Sequence, residues 1–311
     1  MFMKNLTVLF LLLSSGLAAQ KQVCFTIDDL PVVPYRHAGA AFEAKLTADL
    51  LGHLVEEGIP ATGFVNEGKL YPDDDEQPDS ARYRLLRRWL EAGMDLGNHT
   101  YGHNDYNNVS NQYFFANITL GERLTRPLVG EFGKSLRYFR HPYLHTGQRQ
   151  GKADSLRVFL REHNYLEAPV TIDNEEYLFA FAYDSAMTAR DTALMRSIGA
   201  SYIAYMERML WYYEQQSNKL FGRNIRHILL LHANALNADY LDELAAMYRR
   251  NGYTFISLDE ALQDEAYQTE VTVYGRWGIS WLHRWALSRG LKGDFFEGEP
   301  ETPQFIRDLT R

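Results

Sequence analysis

Short apolar runs and amphipathic stretches alternate through most of the chain. Residues 23–26 form an apolar run that predicts a buried strand, and 41–57 carries the periodicity of an amphipathic helix, stopped by Gly58. A second strand is predicted at 61–65. Ser80 marks the start of a helix running to Ala92, with Gly93 as its stop, and a brief strand at 95–97 leads into Asn98-His99. Further strands are predicted at 136–139, 167–171 and 228–231. A helix at 238–250 ends at Asn251-Gly252, and 253–257 reads as a last strand. Strands alternating with helices predict an α/β fold, a parallel sheet or barrel with helices outside. Residues 186–221 read as a long helical insertion. After Gln263 the pattern changes, and the aromatic, basic stretch from Gly275 to Leu282 predicts a strap packed on the barrel rather than a second domain.

Composition narrows the function. With 311 residues, 46% of them hydrophobic, the chain can bury a sizeable core. A net charge of −8 gives no electrostatic reason to expect nucleic acid or anionic lipid as a partner. Aromatics make up 14%, with 20 Tyr, which suits sugar-facing surfaces and half-buried packing alike. Lys4, the apolar run from Leu6 to Leu13 and the small residues through Ala19 follow the order of a secretory signal peptide, so residues 1–20 are expected to direct export to the periplasm or beyond the cell. That run is too short to span a bilayer, and no stable membrane anchor is expected. The one cysteine, Cys24, allows no internal disulfide; it is expected to be a small buried side chain. The run 73–76 (Asp-Asp-Asp-Glu) reads as a solvated loop.

Two motifs carry the chemistry. Phe25-Thr26-Ile27-Asp28-Asp29 places adjacent carboxylates at the C-terminal end of an apolar strand, where α/β barrels build their active sites. His99-Thr100-Tyr101-Gly102-His103 sets two imidazoles four residues apart after another strand, a spacing that lets both meet one metal ion. One carboxylate and two imidazoles leave coordination positions open, and the spare carboxylate is free to take a proton from water. Three further segments end strands: Arg137–Tyr143 brings a cation and a stiff Pro turn, 171–177 brings acids, and His232 follows the apolar run 228–231 as a candidate general acid.

In this order the five segments resemble the motifs of the polysaccharide deacetylase family, the NodB-homology or carbohydrate esterase family 4 enzymes, over roughly residues 22–262. The resemblance implies a distorted (β/α) barrel of about seven parallel strands, with residues 21–265 as the catalytic domain and 266–311 as an extension packed on it. It also implies a divalent metal ion, most often zinc, held by Asp29, His99 and His103, with Asp28 as catalytic base and Arg140 orienting that base. Pro142 and Tyr143 match the turn whose backbone N–H helps hold the oxyanion. Asp173 lies in the motif whose acid supports the catalytic histidine, matched by His232.

The chain departs from the family pattern in three places. Leu30 stands where Gly is usual, which predicts a narrower, more apolar cleft. Leu144 follows Tyr143 where Gly is frequent. Glu176 and Tyr177 replace an acid and a Trp, so either Asp173 or Glu176 supports His232. The expected activity is hydrolysis of an N- or O-acetyl group from an acetylated oligo- or polysaccharide. The alternatives are a small-molecule amide hydrolase on the same fold and a non-catalytic carbohydrate-binding protein. His37, His141 and His145 match no ligand position and are assigned supporting or surface roles.

Overall fold

In the computed structural model, which describes residues 20–72 and 77–310, the apolar run at 23–26 is the middle of a ten-residue strand, β1 (Lys21–Leu30). Val23 through Asp28 are buried on both faces, as the central strand of a covered parallel sheet requires. Around it run β2 (Thr62–Val65), β3 (Asp95–Asn98), β4 (Tyr138–Phe139), β5 (Leu166–Glu167), β6 (His227–His232) and β7 (Tyr253–Phe255). Every pairing is parallel, in the order β5-β4-β3-β2-β1-β6, and β7 joins β1 along Lys21–Val23. The sheet curls into a half-barrel, as the alternation of strands and helices predicts. Side chains alternate along β1. Val23, Phe25 and Ile27 join the large core beneath the helices, whereas Cys24 packs with Phe64, Tyr138, Ala168 and Ile228 in a second cluster. Burial pushes the Cys24 thiol far above its usual range, leaving an inert filler.

The helices are α1 (Ala40–Glu56), α2 (Ser80–Glu91), α3 (Asn111–Leu120), α4 (Thr125–Glu131), α5 (Gln150–Glu162), α6 (Glu176–Thr188), α7 (Thr192–Phe221), α8 (Ala235–Arg250), α9 (Leu258–Leu262), α10 (Trp281–Ser288) and α11 (Gln304–Leu309). Their ends follow side-chain caps. Asp79, not Ser80, caps α2, its carboxylate accepting the N–H groups of Ala81 and Arg82. α8 starts three residues ahead of the predicted 238 because Asn234 accepts the Asn237 N–H at 3.0 Å. The 30-residue α7 begins at its cap Asp191 and stops at Gly222, whose φ of 70° is left-handed.

The strand predicted at 167–171 is only two residues long, since Pro169 cannot donate to a ladder; the chain rejoins the sheet through a single bridge, Ile172 to Leu229. The candidate signal segment 1–20 (but for Gln20) and the acidic run 73–76 lie outside the described residues. Among the described residues no helix is long and apolar enough to cross a membrane.

Candidate active site

The strand register brings the motif residues together. Asp28 on β1 pairs in register with His232 on β6, and Asn98 on β3 with Phe139 on β4. One step beyond the latter pair stand His99 and Arg140. The C-terminal ends of four strands therefore meet at one cleft of about 1060 Å³.

Asp29, His99 and His103 each offer a ligand atom, all within 4.8 Å of one another. Asp29 Oδ1 lies 3.7 Å from His99 Nε2 and 3.6 Å from His103 Nε2. Ligands at ~2.1 Å around a tetrahedral zinc stand ~3.4 Å apart, so both Asp29–His spacings are close to those of a filled site. Asp29 Oδ1 is buried and has no hydrogen-bond partner, an arrangement that a cation would satisfy. His99 Nδ1 lies 2.8 Å from the Arg140 carbonyl, which fixes the ring so that Nε2 is the free ligand nitrogen. Burial depresses both imidazoles and favours the neutral, ligating form. Burial would raise Asp29, but Lys69, His103 and His99 outweigh it and hold the carboxyl ionised below the usual range. The backbone is left-handed at Asp29 (φ 68°), Thr100 (65°) and His103 (51°), a concentration of strain that fits a functional site.

Asp28 is buried beside this triad, 3.8 Å from His99 Nε2. Burial pushes its pKa up to about 6, with Arg140 pulling the other way. Arg140 Nη1 is 3.7 Å from Asp28 Oδ2, and Arg140 Nη2 donates to Thr26 Oγ1 at 2.8 Å. The Thr26 hydroxyl itself donates to Leu229 O at 2.6 Å, so a polar residue inside an apolar strand seats the guanidinium.

Glu176, not Asp173, holds His232. The His232 Nδ1 to Glu176 Oε2 distance is 2.8 Å, and Glu176 Oε1 accepts from Asn237 Nδ2 at 2.7 Å and also from Asn234 Nδ2. Asp173 also lines the cleft, but its carboxylate accepts the neighbouring Asn174 N–H at 2.9 Å, and burial raises its pKa to about 7. The physical reason is helical: Glu176 opens α6, buried beneath β6, while Asp173 stays on the connecting loop. Burial would lower His232, but the hydrogen bond and charge of Glu176 bring it up to about 9. A general acid works while protonated, and activity fades as pH rises through its pKa. Glu176→Gln keeps the shape and removes the charge, so the alkaline limb of the kcat profile should move at least ~1 pH unit toward acid. An unmoved limb would show that Glu176 does not set the proton on His232.

Pro142 and Tyr143 form a tight turn at the cleft, where the Tyr143 ring packs on His103 with centroids 4.5 Å apart. Tyr143 and Leu144 both adopt left-handed φ, 56° and 54°, at a cost on the order of 1–2 kcal/mol each for side chains with a Cβ. Leu144 thus occupies a conformation that suits Gly. Leu30 departs from expectation: it is fully buried against Gly63 and does not line the cleft, because the backbone turns at Asp29. Tyr177 is 46% exposed at the rim. His141 bonds Glu167, His145 bonds Asp105 and His37 bonds Asp184, each in a supporting position.

Several residues at or beside the cleft carry no sequence signal. Lys69, in a single helical turn after β2, donates to Asp29 O at 2.8 Å and Val32 O at 3.3 Å. Tyr35, Tyr205 and Met209 close one side, and Gly278, His283 and Glu299 from the C-terminal strap close another. Only the Asn234-x-x-Asn237 pair, following His232, was open to recognition as a cap.

Residues 16–155 match the family model for polysaccharide deacetylases. This segment is similar to the polysaccharide deacetylase family. The family resemblance drawn from the five motifs is thereby borne out. The fold is similar to that of a polysaccharide deacetylase from Bacillus cereus, at 18% identity and a TM-score of 0.51, over 83% of this chain and 100% of that one. It is also similar to a mutant of a carbohydrate esterase family 4 pseudoenzyme, at 15% identity and a TM-score of 0.50, over 79% of this chain and 68% of that one. At such identities the likeness concerns the fold alone. No curated protein sequence matches the chain.

Proposed function

We propose that this chain is an exported, metal-dependent deacetylase that hydrolyses an acetyl group on a carbohydrate. One observation carries the reading: a half-buried Asp-His-His cluster with an unpartnered, buried carboxylate oxygen stands beside a second, buried carboxylate. Its nitrogen and oxygen donors suit zinc. Bound there, the ion supplies Lewis acidity toward the acetyl carbonyl and a water molecule. Asp28, kept close to neutral pH by burial, takes the proton of the attacking water. Arg140, 3.7 Å from that carboxylate, orients it through its charge. The Tyr143 N–H stabilises the oxyanion as it develops, a role worth about 3 kcal/mol per donor. His232, held protonated by Glu176, delivers a proton to the leaving nitrogen or oxygen. A base, a ligand set and an acid together weigh against a non-catalytic sugar-binding role.

Acetate release from chitooligosaccharides, peptidoglycan fragments and acetylated xylan tests the reading. Activity on at least one is expected, lost with chelator and restored by zinc. Stoichiometric metal with no acetate from any of them would overturn it. The walls contributed by α7 and the C-terminal strap favour a second reading, a small acetylated amide as substrate. Turnover of N-acetylated monosaccharides or cyclic amides, with none of polymers, would select it.

A further inference from the structure

The C-terminal strap lies outside the family match, yet it runs directly behind the oxyanion turn. The Trp281 N–H donates to Val170 O at 2.7 Å and Ser280 Oγ to Thr171 O at 3.0 Å, which fixes the start of α10 against the segment leading to Asp173. From α10, Arg284 reaches back to the turn. Its Nη2 donates to Leu144 O at 2.8 Å and to Trp277 O at 2.9 Å, and Nη1 donates to Thr146 Oγ1 at 3.3 Å. One guanidinium therefore ties the strap to both sides of residue 145. Arg284 is 1% exposed and stacks over Trp281 at 5.2 Å. Burial lowers its pKa to about 10, so it stays charged at neutral pH.

A buried cation bonded to carbonyls and a hydroxyl is costly to keep, and an apolar side chain would fill the space at less expense. What an apolar side chain lacks is the planar fork that reaches several acceptors at once. A separate contact points the same way. A Cβ added at Gly278 would stand 2.0 Å from Tyr143 O, so the strap backbone presses on the very peptide that carries the turn. Tyr143 and Leu144 hold consecutive left-handed conformations, which a free loop would relax.

We propose that the strap is a working part of the active site, with Arg284 and Gly278 as positioning residues that hold the Tyr143–Leu144 turn where its backbone N–H meets the reacting carbonyl. This rests on the deacetylase reading above. Neither residue touches the acetyl group; both act through the turn. A displacement of ~1 Å at such a donor can cost about a hundredfold in rate, and the loss belongs in kcat because a donor to the developing oxyanion acts in the transition state.

The test uses the full chain loaded with zinc and compares Gly278→Ala, Arg284→Lys and Arg284→Ala with the parent. The readouts are kcat, KM, zinc content, Tm and amide hydrogen exchange across residues 141–146. Both Gly278→Ala and Arg284→Lys should keep their zinc; Arg284→Lys should melt near the parent, and Gly278→Ala, whose Cβ must displace the Tyr143 peptide, should melt lower but stay folded. They should lose roughly ten- to a hundredfold in kcat with KM within about twofold, and exchange faster at 141–146. Arg284→Lys should retain more kcat than Arg284→Ala. Parental kcat in Gly278→Ala and Arg284→Lys, unchanged exchange at 141–146, or joint loss of zinc and fold in both would overturn the proposal. A parent inactive on every substrate rejects the deacetylase reading instead; exchange at 141–146 then decides the clamp alone.

Discussion

Zinc-loaded Asp28→Asn is expected to keep about one metal ion per chain while kcat falls ~10²–10⁴-fold, the usual share of a general base. Asn matches the shape of Asp but cannot accept a proton. The carboxylate it replaces is buried, drawn up to about 6 by that burial, and faces Arg140 at 3.7 Å. Asp29, its neighbour, is shifted the opposite way by Lys69 and the two imidazoles, the division that the proposed roles of base and ligand require. Metal content by elemental analysis, alongside kcat, separates these roles. Near-parental turnover in Asp28→Asn would remove the base from the mechanism.

His99→Ala should behave in the opposite way, losing metal and activity together. His99 supplies one of three ligand atoms, and its ring is set by the Arg140 carbonyl at 2.8 Å. Losing a direct ligand should weaken zinc by more than the ~10–100-fold that follows removal of an outer partner. Excess zinc in the assay should restore activity only partly, since two ligands orient an ion poorly. A His99→Ala protein that keeps full metal content would show that the ion, if bound, sits elsewhere. Set side by side, the two variants distinguish a missing base from a missing ion.

The pairing of strap and turn also bears on why a family fold need not carry a family activity. A pseudoenzyme shares this architecture at a TM-score of 0.50, so the curled sheet by itself does not bring about hydrolysis. Here Asp28, the Asp29-His99-His103 group and His232 meet in one cleft, and Arg284, from outside the family segment, bonds the Leu144 carbonyl of the adjoining turn. Function rests on such local arrangements as much as on the barrel.

Much of this was legible along the chain. The apolar run before Asp28-Asp29, the short strand before His99 and the run before His232 told where carboxylates and imidazoles would stand, because a parallel sheet gathers its strand ends on one edge. Gly58 and Gly93 marked the ends of α1 and α2 to within two residues, whereas α8 and α7 begin at Ala235 and Thr192 rather than at 238 and 186 because Asn234 and Asp191 cap them. The choice between Asp173 and Glu176 was not legible, since it depends on how α6 docks beneath β6 and how Asn234 and Asn237 fill the second carboxylate oxygen. Nor was the direction of Leu30, which follows from the left-handed turn at Asp29, or the reach of Lys69 and Arg284 into the site. Local patterns report which backbone a segment prefers; partners 40 or 140 residues away come together only when the sheet curls and the strap closes over it.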